Sequence, residues 1–400
     1  MEDVRPGMYV HDLNVPWLEH KFLFNRFLLQ NEKHIEKLKR ENLLEILIDT
    51  EKGLDAVNAP TEEEAEAALM EKMIGSVSGR GSEPAAAKQK DRWAESKQVQ
   101  AEAIKMVASI FNDVRAGKQN KAMFAVSAVT SIADAVLGDD GALVSLCRIK
   151  NRDDYTFQHC VSVSALLMTL CNSIGGYSSD DLIQIGFGGL FHDVGKMKTS
   201  NSILNKPGRL TEKEFETIMA HVNDGLDYLR GERCLSEPVL RIVAEHHERY
   251  DGSGYPRGLS KGQISKVGQM AAIIDVYDAI TSRRAYRSAL EPTVALKRIY
   301  EWGGRHFDAG LVHSFVNAMG IYPVGSLIRL HSGRLAVVIR QGGENLLQPL
   351  VRIVYNAAKG HRVPSQDVDL ASPGCQDHIV GDETPENWGI DVMKYIAKGP

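Results

Sequence analysis

Cysteine is scarce and arranged to little purpose. Only five occur in 400 residues (Cys147, Cys160, Cys171, Cys234 and Cys375), an odd number, widely spaced and without a C-x-x-C pair. That excludes a disulfide framework and a thiolate zinc site, and fits a reducing cytoplasm. No run approaches 18 apolar residues, and the N-terminus "MEDVRPGMYV" has no basic-then-apolar leader, so no membrane segment or export signal is expected. Excess charge is also missing: the formal net charge is −5, which gives no reason to expect a nucleic-acid polymer or an anionic membrane as partner. A small anionic ligand remains compatible with a local basic cluster. No internal repeat stands out.

What remains is a chain of globular composition, 43% hydrophobic and 25% charged, long enough for two or three domains. Residues 1–75 mix a probable strand, "LLEILID" (43–49), with Gly and Pro punctuation. Residues 76–97 are polar and lack an apolar period, which reads as a linker. From 98 to 320 the helical period dominates. "TEKE" is a capping box on Thr211 and Glu214, after which Phe215, Ile218, Met219, Val222, Leu226 and Leu229 share a helical face. Ser236 and Pro238 open another helix that runs to "AEHHE". The apolar helix at 264–282 carries Asp275 and Asp278 in its interior, where acids are costly unless paired or metal-bound. From 321 to 400 β-branched alternation takes over, with Ser332-Gly333 as a turn between strands.

The helical region also contains a recurring pattern of metal-ligand residue types. "GLFHDVGK" ends an apolar run with His192 and Asp193. His159 precedes it, and His221, the doublet His246-His247 and Asp275 follow, each separated by room for about one helix and a loop. A bundle can turn such side chains toward one centre. Imidazoles with carboxylates and no thiolate suit iron, manganese, zinc or nickel. Neighbours on a helix point about 100° apart, so adjacent residues seldom ligate one ion side by side. Two ions bridged by a carboxylate remove that difficulty. Any one of these histidines alone would more often be structural; five with two interior acids point to a metal site.

"HDVGK" resembles the HD superfamily of metal-dependent phosphohydrolases, and "HHERYDGSGYP" (246–256) resembles the signature of its HD-GYP subfamily. "DVYDAITSRRAYR" (275–287) is similar to that family's next helix, and the first 75 residues, with "VRPGMYV" and "VPW", resemble a domain often placed before HD-GYP domains in bacteria. The resemblance implies a mainly α fold: a helical-bundle catalytic domain at 98–320, a small α+β N-terminal domain, and a small β-rich C-terminal extension. It also implies a phosphodiesterase that hydrolyses the second messenger cyclic di-GMP to linear pGpG, and in some members on to GMP. A hydroxide bridging two divalent ions, iron or manganese, would be the nucleophile.

By position, the family's ligands fall on His159, His192, Asp193 and Asp275 for one ion, with Asp193 bridging to a second held by His221, His246 and His247. Tyr155 stands where members with a third metal have a glutamate, so two ions are expected. Asp193 and Lys196 would be catalytic, and Lys196, Arg284 and Arg287 would bind the substrate's phosphates. Arg284 and Arg287, three apart, could share a helical face as a clamp. Asp278, close to one turn past Asp275, could orient a ligand histidine. Cys160 for serine and Ala285 for proline depart from the family pattern without removing a ligand.

Three other readings stay open: a related cyclic dinucleotide such as cyclic GMP-AMP as substrate, a catalytically silent cyclic di-GMP receptor, and oxygen activation at a di-iron site. The sequence is compatible with a cytoplasmic protein, with a homodimer through the N-terminal region and the helices after 98, and with signalling partners docking on the GYP loop.

Overall fold

The computed structural model describes residues 3–13, 26–40, 43, 45–56, 59–76, 89–118, 122–138, 142–147, 155–206, 208, 210–230, 236–282, 289–342 and 345–396. The chain divides into two compact units, Met1–Lys72 and Met73–Pro400.

In the first unit, β1 (Tyr9–Asp12) is the centre of a three-stranded antiparallel sheet between β2 (Phe27–Leu28) and β3 (Leu47–Ile48). Helix α1 (Glu32–Arg40) follows β2 in the chain. Met8, Val10, Leu13, Leu29, Leu38 and Leu43 form the unit's core, so α1 contributes Leu38 to the same apolar layer as the sheet. The strand expected over 43–49 is only two residues long. Helix α2 (Glu62–Ser76) ends before residues outside those described.

The second unit is a helical bundle carrying a sheet. Its helices are α3 (Gln89–Arg115), α4 (Val126–Gly138), α5 (Ala142–Leu146), α6 (Tyr155–Ile174), α7 (Ser179–Phe191), α8 (Asn201–Leu204), α9 (Glu212–Met219), α10 (His221–Arg230), α11 (Glu237–Glu245), α12 (Lys266–Thr281), α13 (Pro292–Glu301) and α14 (Ala309–Met319). The expected linker is shorter than its polarity suggested. Residues 89–97 already belong to α3, because Gln, Lys, Arg, Glu and Ala are good helix formers even without an apolar stripe. The apolar face expected from Phe215 to Leu229 is likewise split. The first helix stops at Met219 and a second begins at His221, with Ala220 between them. Both expected N-termini are present: Thr211 and Glu214 make a reciprocal capping box, and Ser236 stands at the N-cap position of a helix with Pro in its first turn, its hydroxyl donating to Gln184 rather than capping.

Helix α6 lies at the centre, packed on α7, α12 and α14 and buried continuously from Gln158 to Met168. Among the described residues it is the one helix long and apolar enough to cross a membrane, and 72% of its apolar window is buried inside the protein. Its hydrophobicity is that of a core helix. The α6–α7 approach is close because of glycine: a Cβ on Gly189 would lie 2.9 Å from Ser164 Cα, too near for any side chain.

The sheet follows α14. Its strands are β4 (Leu327–Leu330), β5 (Arg334–Arg340), β6 (Leu350–Asn356), β7 (His361–Asp369) and β8 (Ile379–Glu383), all antiparallel in the order β7-β6-β5-β4-β8. Gly333, with φ +72°, supplies the left-handed residue for the turn between β4 and β5. Lys297 on α13 is 6% exposed and reaches Asp382 on β8 at 3.5 Å, joining bundle to sheet. Arg352 on β6 holds Asp367 of β7 through two bonds and donates to the Tyr395 carbonyl in the terminal helix α15 (Val392–Ile396).

Candidate metal centre

Five histidines and two aspartates from five helices meet in one buried place. His159 comes from the second turn of α6, His192 caps the end of α7, and Asp193 follows it at the start of a 3-10 turn over 194–198. His221 opens α10, His246 caps the end of α11 with His247 beyond it, and Asp275 lies inside α12. The two doublets thus sit where helices end and the chain changes direction, not side by side within a helix as the spacing argument assumed. His192 is helical (φ −54°, ψ −33°) and Asp193 is not (φ −103°, ψ 6°), so the chain turn adds to their divergence.

The groups fall into two sets with ligand-competent atoms within 4.8 Å: His159, His192 and Asp275, and Asp193, His221, His246 and His247. Asp193 faces both. Its Oδ2 is 3.8 Å from His159 Nε2 and 3.5 Å from His192 Nε2, while its Oδ1 is 3.4 Å from His221 Nε2 and 3.8 Å from His246 Nε2. Asp275 Oδ1 lies 3.0 Å from His159 Nε2, and its Oδ2 lies 3.6 Å from His247 Nδ1.

Four imidazoles are oriented from behind. The Nδ1–H groups of His192, His221 and His246 donate to the carbonyls of Gly189, Ile218 and Val243 at 2.7, 2.5 and 2.9 Å, and His159 Nδ1 donates to Asp278 Oδ2 at 2.5 Å. A nitrogen that donates outward leaves its ring partner turned inward, where it offers a lone pair to a cation once it carries no proton. Asp278 therefore orients His159. The Tyr155 ring stacks on His159 at 5.8 Å and 9°.

Two buried atoms at the centre, His192 Nε2 and Asp193 Oδ1, have no hydrogen-bond partner among the described residues. An unsatisfied buried polar atom costs about 1–3 kcal/mol, so two of them facing one space fit a bound cation. The charge balance agrees. Burial opposes a proton on His192, yet Asp193 and Asp275 outweigh it and hold its pKa up to about 10. Burial would raise both aspartates, but Lys196 and His192 draw Asp193, and His159 and His192 draw Asp275, well below the usual range. His221 and His246, pushed by burial down to about 4 and about 3, remain neutral imidazoles, the ligating form.

Lys196 Nζ lies on Asp193 Oδ2 at 2.6 Å, with the side chain 23% exposed. Arg284 and Arg287, expected to bind phosphate, lie outside the described residues. Sequence reasoning missed the acids that build the signature loop. Glu248 is buried and accepts from the backbone N–H groups of Arg257 and Leu259, both at 2.8 Å. Glu245, fully buried, accepts from Arg241, Arg257 and the Ser265 N–H. An acid at a helix end reads as surface charge, and only the apolar residues around Glu245 hinted otherwise. Glu248→Ala should destabilise the protein by about 3 kcal/mol in urea unfolding, since two bonds to a buried carboxylate are lost together.

Fold and site together define a helical bundle with a buried cluster of metal-ligand residue types. A family described as a domain of unknown function (DUF3391) matches residues 1–124, and the family described as the HD domain matches residues 147–311. The cyclic di-GMP phosphodiesterase PA4108 of Pseudomonas aeruginosa is 39% identical over 398 residues, 99% of this chain and 94% of its own length. A cyclic di-GMP phosphodiesterase of Thermotoga maritima is 35% identical over 169 residues, 41% of this chain and 45% of its own. A 3'3'-cGAMP-specific phosphodiesterase of Vibrio cholerae is 39% identical over 122 residues, 30% of this chain and 23% of its own. The chain belongs to the HD-GYP family of cyclic di-GMP phosphodiesterases.

Proposed function

We propose that the chain hydrolyses cyclic di-GMP to linear pGpG, in the cytoplasm, with two divalent cations, iron or manganese, as cofactors. The observation that carries this reading is Asp193, whose two oxygens face separate sets of imidazoles. In that arrangement His159, His192 and Asp275 would hold one cation and His221, His246 and His247 the other, with Asp193 available to both. Such ions, when bound, supply Lewis acidity and an acidified water near neutral pH.

The chain's own groups do the rest. The bundle excludes solvent behind the ligands: His159, His192, His221 and His246 are all buried. The carbonyls of Gly189, Ile218 and Val243 and the Asp278 carboxylate keep four imidazoles from rotating. Lys196, partly exposed beside Asp193, would swing its ammonium from that carboxylate to a phosphoryl oxygen of the substrate. Arg284 and Arg287 would neutralise the second phosphate. A homodimer and partner docking on the GYP loop remain part of this proposal.

The test is a panel of cyclic dinucleotides presented to the protein loaded with manganese or iron(II), with metal analysis on the same sample. Conversion of cyclic di-GMP to pGpG supports the reading. Cleavage of cyclic GMP-AMP alone would favour the second reading, which the match to a cGAMP-specific enzyme of Vibrio cholerae supports. A fully metallated protein that binds cyclic di-GMP without cleaving it would make it a receptor.

Metal loading should also depend on pH with a definite sign. His192 holds its proton up to about 10 in the metal-free protein, and a cation must displace it. Apparent affinity should therefore rise by about tenfold per pH unit between pH 6 and 8. Calorimetry in buffers of different ionisation enthalpy should register the released proton.

A further inference from the structure

Of the five clustered histidines, His247 is held differently. The other four donate Nδ1–H to a carbonyl or a carboxylate behind them. Among the described residues nothing of that kind holds His247, which turns Nδ1 inward, 3.6 Å from Asp275 Oδ2. An imidazole on a broad, two-fold torsion needs something to select its orientation. That something here is a stack of rings. His246 lies against one side at 4.1 Å, and Tyr255 of the signature loop covers it at 4.6 Å and 30°, with His221 edge-on at 5.1 Å.

Tyr255 is itself fixed twice. Its backbone N–H donates to the His247 carbonyl at 3.0 Å, which folds the loop back onto the histidine. Its ring meets the edge of Phe215, on α9, at 6.1 Å and 79°. A chain of three rings, Phe215 to Tyr255 to His247, therefore runs from a neighbouring helix to the metal centre.

We propose that Tyr255 is a positioning residue, its ring fixing the imidazole of His247 so that His247 can join the ligands of the second cation. This rests on the two-cation reading given above. The contact is made by the ring face, so the ring and not the hydroxyl carries the role. Aromatic packing of this kind contributes about 0.5–1.5 kcal/mol, and losing the group that orients a metal ligand typically weakens binding about 10–100-fold.

The experiment titrates manganese into the full-length wild type, Tyr255→Phe and Tyr255→Leu, counting bound ions by mass spectrometry and following electron paramagnetic resonance. Wild type and Tyr255→Phe should bind two ions with indistinguishable affinities and give the signal of a coupled pair. Tyr255→Leu should keep one site and weaken the other about 10–100-fold, so that at equal manganese the coupled signal gives way to that of an isolated ion. Two undiminished sites in Tyr255→Leu would overturn the proposal, even if its metal-free melting temperature fell, because the ring would then only pack the loop. Equal weakening in Tyr255→Phe would overturn it in favour of the hydroxyl. A wild type that binds fewer than two ions would remove the two-cation reading itself, an outcome distinct from any difference between variants.

Discussion

His192→Ala combined with Asp193→Ala should lower the rate of cyclic di-GMP hydrolysis about a thousandfold or more, equivalent to ~4 kcal/mol of transition-state stabilisation, while leaving the helical content of the protein unchanged. The reason is positional. Asp193 turns each oxygen to two imidazoles of a different set, and His192 Nε2 and Asp193 Oδ1 are the unsatisfied atoms at the centre among the described residues. Removing them takes away a ligand from each set, and the metal content of the same preparation should fall with the rate. The metal-free fold should lose little, because those two atoms make no hydrogen bond among the described residues, the hydrogen bond of the His192 ring stays within its own turn at the Gly189 carbonyl, and the Lys196 ammonium released from Asp193 Oδ2 is partly exposed. Circular dichroism and a metal-free melting curve close to wild type are the expected controls. Retained hydrolysis with the metal gone would place the chemistry elsewhere.

The second large effect should come from one methyl group. A Cβ on Gly195 would lie 1.9 Å from the His221 carbonyl oxygen and 2.6 Å from the Gly225 nitrogen, both backbone atoms of α10. Neither can rotate away, so Gly195→Ala must push the helix off the 3-10 turn that follows Asp193. We expect a loss of about 3 kcal/mol or more in urea unfolding. Activity should fall at least about a hundredfold, because the displaced helix carries His221 and misplacements of about 1 Å at a reacting centre cost that much. Gly225→Ala provides the contrast. Its Cβ would meet the nearest atom, Val243 Cγ1, at 3.3 Å, and its helical position favours alanine, so it should change stability by less than about 1 kcal/mol. If both variants behaved alike, the close approach would not be what holds α10.

Much of this was readable beforehand, for a reason particular to the chemistry. His159, His192, His221, His246, His247 and two acids are rare residue types to find in one helical stretch, and few structural roles demand them together. The apolar character of the helix at 266–281 made Asp275 and Asp278 conspicuous as well. Geometry was harder. Nothing in "HDVGK" or "EHHE" says that a helix ends between the ligands, because that depends on packing of the turns on neighbouring helices. The break at Ala220 was hidden for the same reason, since the apolar period continues across it. Polar 89–97 was mistaken for a linker because solvent-facing helix and coil share a composition. Strand pairing was not legible either: β8 returns from residue 379 to lie beside β4, a register set by Leu327 opposite Glu383 and Ile328 opposite Asp382 rather than by any local pattern.

The contact of Lys297 with Asp382 bears on how the enzyme can be shortened. A fragment trimmed after the last bundle helix would take away an acid that faces a nearly submerged ammonium. The terminal sheet is thus a wall of the helical body, and a truncated version would be judged inactive for reasons of folding that say nothing about its chemistry.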